Sequence, residues 1–186
     1  MLYVASGTGG IAGTLYTLDP ATGVATTVGP LHDILGNPYG LTGLKYHPIT
    51  GIVFAATSGQ SPTNPAWLAI VDPATALVTP IGPFLNDLSL TDLAIDPTTG
   101  TMYSISGFDQ HFFIINISTG EAVIIGSTGI GFANGGGFAA DSTGALFGFN
   151  NFTPTVGIGG LYSFDKTSLP PGHAYHQTLT ITFVAD

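Results

Sequence analysis

The chain has 186 residues, no cysteine and almost no cations: two Lys, no Arg, one Glu and ten Asp give a net charge of −9. Phosphate recognition runs on Lys and Arg, so the composition argues against nucleic acid and anionic membrane surfaces as partners, and the lack of Cys excludes disulfide and thiolate chemistry. No stretch reaches the roughly 18 apolar residues of a spanning helix, and strand-like sequence from Leu2 onward argues against a signal peptide.

The chain opens on LYVASG (2–7), an apolar strand. TLYTLDPATGVATTVG (14–29) follows, with two strands on either side of Asp19-Pro20-Ala21-Thr22-Gly23. Next, LTGLKYHPITGIVFAATSG (41–59) flanks a turn at His47 with strands, and LAIVDPATALVTPIG (68–82) does the same around Asp72. The pair recurs as LTDLAIDPTTGTMYSISG (90–107) and FFIINISTGEAVIIG (112–126), then as GGGFAADSTGALFGFN (135–150) and LYSFDKTSLPPG (161–172). The last stretch, TLTITFVAD (178–186), begins like LTDLAID and stops at the residue that should open a turn.

The turn formula has a mechanism. An Asp carboxylate accepts from backbone N–H groups two or three residues on, Pro presets φ, and Gly takes the left-handed position. No segment sustains a helical period, and 27 Gly with 13 Pro interrupt the chain too often for helices. The pattern predicts an all-β protein whose unit is a four-stranded antiparallel meander, with strands a to d from inside to outside. A four-stranded unit of this length is the signature of a β-propeller blade. Runs such as LAIVD and FFIIN are almost continuously apolar, as strands covered on both faces require.

His47, Asp96, Asp141 and Asp186 each close an a strand, at spacings of 49, 45 and 45 residues. MLYVASG (1–7) matches TMYSISG (101–107), which is a b strand. The expected layout is one β-propeller domain of four blades. Blade 1 takes 178–186 plus 1–33, blade 2 takes 38–85, blade 3 takes 88–128 and blade 4 takes 132–177. The closing strand, with Leu179, Ile181 and Phe183, would then lie alongside Leu2, Tyr3 and Val4. Three arrangements stay open: closure within one chain, donation of the strand to a neighbouring chain (an oligomer, an eight-bladed pair or a filament), or a fragment of a longer propeller.

The repeats LYTLDPATGVATTVG and LTDLAIDPTTGTMYSISG resemble those of secreted or surface-exposed bacterial β-propeller proteins of the YVTN/quinoprotein-like group. The resemblance implies a propeller architecture over nearly the whole chain and an extracellular or cell-surface location. It implies no particular activity. The chain departs from that group in having only four units, no export signal and no sorting tail.

Candidate chemistry is sparse. Asp92 lies inside an a strand, where its counterparts are Gly43 and Gly137, and so faces the expected central channel without a second carboxylate. Asp109 and His111 fall in a b–c loop, and Trp67 adds an aromatic. These four are the weak ligand-binding candidates. His173 and His176 share a d strand at a spacing that points them to opposite faces, and no calcium-loop pattern occurs, so no metal and no cofactor is expected. No G-x-S-x-G elbow or phosphate loop is present. Most other Asp residues are turn formers. Strands VATTVG, LVTPIG and EAVIIG form outer edges protected only by Pro80 and Glu121. The expected function is a non-enzymatic structural or protein-interaction module. It would associate with itself, as an oligomer or a filament, or with other surface proteins. The alternative is a carbohydrate-binding or hydrolytic propeller with a site at a channel mouth.

Overall fold

A computed structural model describes residues 2–7, 10–85, 90–106, 111–128, 136–150, 160–164 and 166. These form fourteen strands in four antiparallel sheets and, among the described residues, no helix. Sheet 1 holds β1 (Leu2–Ala5), β2 (Thr14–Leu18) and β3 (Ala25–Pro30). Sheet 2 holds β4 (Leu41–Tyr46), β5 (Val53–Thr57), β6 (Trp67–Val71) and β7 (Val78–Pro83). Sheet 3 holds β8 (Leu90–Ile95), β9 (Met102–Ser106), β10 (His111–Ile115) and β11 (Ala122–Ser127). Sheet 4 holds β12 (Phe138–Ala140), β13 (Leu146–Asn150) and β14 (Gly160–Phe164). Each sheet is a meander, so the a-b-c-d reading holds for the described strands. The sheets have three, four, four and three strands rather than four each. Sheet 1 shows no a strand among the described residues, and the closing strand expected there (178–186) lies outside them, as do Asp109, His173 and His176.

The chain divides into two compact units: residues 1–88 with 117–121, and residues 89–116 with 122–186. In the first, Tyr3, Ala5 and Leu15 of sheet 1 pack against Val53, Ala55, Ala69 and Val71 of sheet 2. Backbone bonds also link the two sheets: Gly13 N–H donates to Tyr39 O (2.7 Å), and Val78 N–H of β7 donates to His32 O just after β3 (2.8 Å). In the second unit, Tyr103, Ile105 and Phe112 of sheet 3 meet Phe138, Leu146, Tyr162 and Phe164 of sheet 4. Phe112 stacks on Tyr103 (5.5 Å) and meets Phe138 edge-on (6.1 Å), while Phe138 meets Phe164 edge-on (5.3 Å). Such aromatic geometry adds to what burial alone supplies.

Five turns repeat one hydrogen-bond scheme. The first residue's N–H closes the hairpin, and its carbonyl accepts from the left-handed residue: Gly23 to Asp19 (2.8 Å), Gly51 to His47 (2.8 Å), Ala76 to Asp72 (2.9 Å), Gly100 to Asp96 (2.8 Å) and Gly144 to Asp141 (3.1 Å). The carboxylates of Asp19, Asp72, Asp96 and Asp141 accept from the N–H two residues on, at 2.8 to 2.9 Å. Donation from Ala21 N–H, and then from the Thr22 hydroxyl, holds Asp19 below its ordinary value; Ala74 and Thr75 do the same for Asp72. His47 replaces the carboxylate with ring nitrogen Nδ1, which accepts from Ile49 and Thr50 N–H at 3.3 and 3.4 Å. Ala76 keeps the left-handed φ of 62° without being Gly. That costs about 1–2 kcal/mol, but its methyl is fully buried in the first unit's core, which offsets roughly 0.8 kcal/mol.

The outer strands carry a device absent from the sequence reading. Each described d strand has a one-residue bulge, at Val28, Ile81 and Ile125, just before Gly29, Gly82 and Gly126. Bulges twist an edge away from pairing with other chains, so Pro80 and Glu121 are not its only protection. The two complete a strands bulge too, at Thr42 and Thr91, whose hydroxyls donate to Ala56 O (3.4 Å) and Ile105 O (3.2 Å).

Candidate functional site

Asp92 sits at the bulge of β8, paired with Ile105. Its carboxylate is partly buried and engaged from two sides. Oδ1 accepts from Leu93 N–H (2.8 Å), and Oδ2 accepts from Phe138 N–H on the neighbouring sheet's β12 (3.0 Å). Its own carbonyl accepts from the buried Ser104 hydroxyl (2.7 Å). Asp92 therefore ties the inner strands of sheets 3 and 4 together. A charge-assisted bond of this kind contributes about 1.5–3 kcal/mol. Asp92→Ala should lower the urea-derived unfolding free energy by about 2 kcal/mol, and Asp92→Asn, which keeps an acceptor, by clearly less. Equal losses for both variants would mean that the bond to Phe138 N–H contributes nothing.

Within the second unit, His111 does not join Asp92: it opens β10, two strands away with β9 between, and is paired with Ser127. Its ring stands edge-on to Phe113 (6.0 Å), and its buried Nδ1 has no hydrogen bond among the described residues. Trp67 holds the corresponding place on β6 in the other unit, where its N–H donates to Thr57 Oγ1 (2.8 Å) and it pairs with Pro83. Asp109 lies outside the described residues. Among the described residues, no three His, Asp or Glu side chains converge as a metal site would require, and no helix is long and apolar enough to cross a membrane.

The sequence reading missed a buried ion pair. Asp96 opens the β8–β9 turn and is almost wholly buried. Burial alone would raise its carboxyl, but the Lys166 ammonium, the Thr98 hydroxyl and the Thr98 N–H outweigh it and hold the group far below the usual carboxylate range. Lys166 also donates to Gly144 O (2.7 Å), so one of the chain's two lysines pins the a–b turns of sheets 3 and 4 together. The one available signal was scarcity: a lysine kept in a chain this poor in cations is worth pairing with a turn Asp.

Leu2, Tyr3 and Val4 lie on β1, which pairs with β2 on one side and has no described strand on the other. Leu2 and Val4 are exposed, whereas every residue of the b strands β5 and β9 is buried.

No family model matches the chain, and no curated protein matches it. Solved structures do. A chain in the crystal structure of a nidogen/laminin complex superposes with a TM-score of 0.60 and 12% identity, over 87% of this chain and 56% of that one. A structural genomics protein of unknown function from Bacteroides thetaiotaomicron gives 0.52 and 16%, over 84% and 36%. The extracellular domain of a putative one component system from B. thetaiotaomicron gives 0.47 and 16%, over 86% and 19%. The chain thus spans about half or less of the solved chains it matches. At these identities the likeness is one of fold. The chain is an all-β protein of the β-propeller type, built from successive antiparallel meanders.

Proposed function

We propose that this is a non-enzymatic extracellular β-propeller, working as a structural or protein-interaction module, in which residues 178–186 supply the missing inner strand of sheet 1. The observation that carries the reading is that β1 has no described strand on its second side, set against the four-stranded sheets 2 and 3. An open row of N–H and C=O groups on an apolar strand is a template for one more strand. TLTITFVAD carries the a-strand pattern and aligns Phe183 with Leu44, Leu93 and Phe138; Leu93 and Phe138 are buried. The scarcity of Lys and Glu and the richness in Gly and Thr support an extracellular setting. A role in protein interaction is further supported by the neighbour of similar fold, whose structure was solved as a complex of two proteins. The non-enzymatic reading rests on subtraction: Asp92, Asp96 and the turn carboxylates are all engaged in holding backbone.

The register is testable in a chain free of cysteine. In sheet 3, Ile95 lies opposite Met102. Leu2 corresponds to Met102 and Ala185 to Ile95, so Ala185 should lie opposite Leu2. The double variant Leu2→Cys with Ala185→Cys should form a disulfide on mild oxidation, since directly opposed strand residues fall within bridging distance. Non-reducing electrophoresis then separates the two closures: a cross-linked monomer means one chain, a cross-linked dimer means strand donation. Absence of any cross-link would sink the strand assignment.

A further inference from the structure

Within each unit two sheets pack face to face by the same rule. In sheets 2 and 3 one face carries Val53, Ala55, Ala69 and Val71, or Met102, Ser104, Phe113 and Ile115, all at most 7% exposed. In sheet 1 the matching positions are Leu2, Val4, Tyr16 and Leu18, joined as cross-strand pairs Leu2–Leu18 and Val4–Tyr16. They lie opposite the face that packs on sheet 2, and Leu2 and Val4 are 50% and 45% exposed. Sheet 4 shows the converse. Its face toward sheet 3 is buried, but its other face carries the cross-strand pair Phe149–Leu161, 48% and 44% exposed, beside the half-buried Phe147. The counterparts of that pair, Ala56–Leu68 and Ile105–Phe112, are at most 1% exposed.

The described residues therefore present two exposed apolar faces of opposite kind. One matches the face of sheet 2 that packs on sheet 1, the other the face of sheet 3 that packs on sheet 4. None of these seven residues is charged, so contact through them brings together two chains of net charge −9 without burying a carboxylate. Exposed cross-strand aromatic and aliphatic pairs of this kind mark an interaction surface. We propose that the Phe147–Phe149–Leu161 face of one copy packs on the Leu2–Val4–Tyr16–Leu18 face of a second copy, continuing between chains the sheet-on-sheet contact that each unit makes internally. The contact is heterologous, so it propagates head to tail unless the rotation closes a ring. It deepens the interaction-module reading but uses the sheet faces, not the β1 edge.

Sedimentation over a concentration series tests it, with Val4→Asp and Phe149→Asp as face variants. Both positions are exposed, and circular dichroism and thermal melting verify that each variant folds. The wild type should gain mass with concentration. Each variant alone should be monomeric at concentrations where the wild type associates. An equimolar mixture should form a dimer and nothing larger, because each partner keeps one intact and complementary face. A wild type that stays monomeric throughout would overturn the proposal, as would a single variant that still self-associates or a mixture that does not pair. The Leu2–Ala185 cross-link is an independent readout. Its failure with complementation intact removes the closing strand alone; its success in a strictly monomeric wild type removes the face contact alone.

Discussion

Replacing Lys166 with methionine is expected to lower the unfolding free energy of the second unit by about 3 kcal/mol at neutral pH, the low end of what breaking a buried ion pair costs. The low end applies because the Lys166 side chain is a quarter exposed while Asp96 is not. Methionine keeps the aliphatic stem, so the loss reports the charge and its bonds to Asp96 and Gly144 O rather than packing. Acid should then separate this mechanism from a simple loss of contact. In the wild type the Asp96 carboxyl is held below its unfolded value. Its contribution is therefore complete above an ordinary carboxyl's value of about 3.9 and fades as the pH falls from there. In the variant the ammonium is gone and burial pushes the same carboxyl upward, so acid relieves a buried charge instead of breaking a pair. The gap between wild type and variant, measured by urea unfolding, should be widest at neutral pH and narrow as the pH falls toward and below about 4. A constant gap would assign the effect to the lysine stem.

That pair shows where sequence reading stops. The turns were legible because their chemistry is local: Asp19, Asp72, Asp96 and Asp141 meet their N–H donors within two residues. The stacking of sheets was legible in part, because the apolar runs of β6 and β10 admit no solvent face. Lys166 and Asp96 are 70 residues apart, and no local pattern distinguishes Asp96 from the other turn carboxylates. Asp92 was legible as an unusual residue in an a strand, but not as the acceptor for Phe138 N–H, 46 residues away. The bulges at Val28, Ile81 and Ile125 were invisible for another reason: a bulge shifts pairing without changing composition. The exposed apolar pairs of sheets 1 and 4 were hidden by the repeat itself. LYVA reads like any other b strand, and only the structure shows that its counterparts are covered.

Gly120→Ala is expected to be costly, and the repeat supplies its own control. Gly120 holds the left-handed position of the β10–β11 turn at φ 81°. A Cβ there would lie 2.3 Å from Gly82 O and 2.6 Å from Gly82 C, and a Cβ on Gly82 would lie 2.0 Å from Thr119 O. All these neighbours are backbone, held by the paired strand β7 and by the turn itself, so neither side can yield by rotating a side chain. The backbone conformation costs about 1–2 kcal/mol for an L-residue and the forced separation roughly 1–3 kcal/mol more. Gly23→Ala meets the first cost without the second. Its φ is 71°, and nothing lies within 4 Å of the added methyl. Ala76, at φ 62°, shows that the conformation alone is tolerable. Urea unfolding should therefore rank Gly120→Ala below Gly23→Ala by at least about 1 kcal/mol. If the two variants prove equally stable, the glycine-to-glycine approach of turn and strand is not what fixes Gly120, and the turn conformation alone accounts for it.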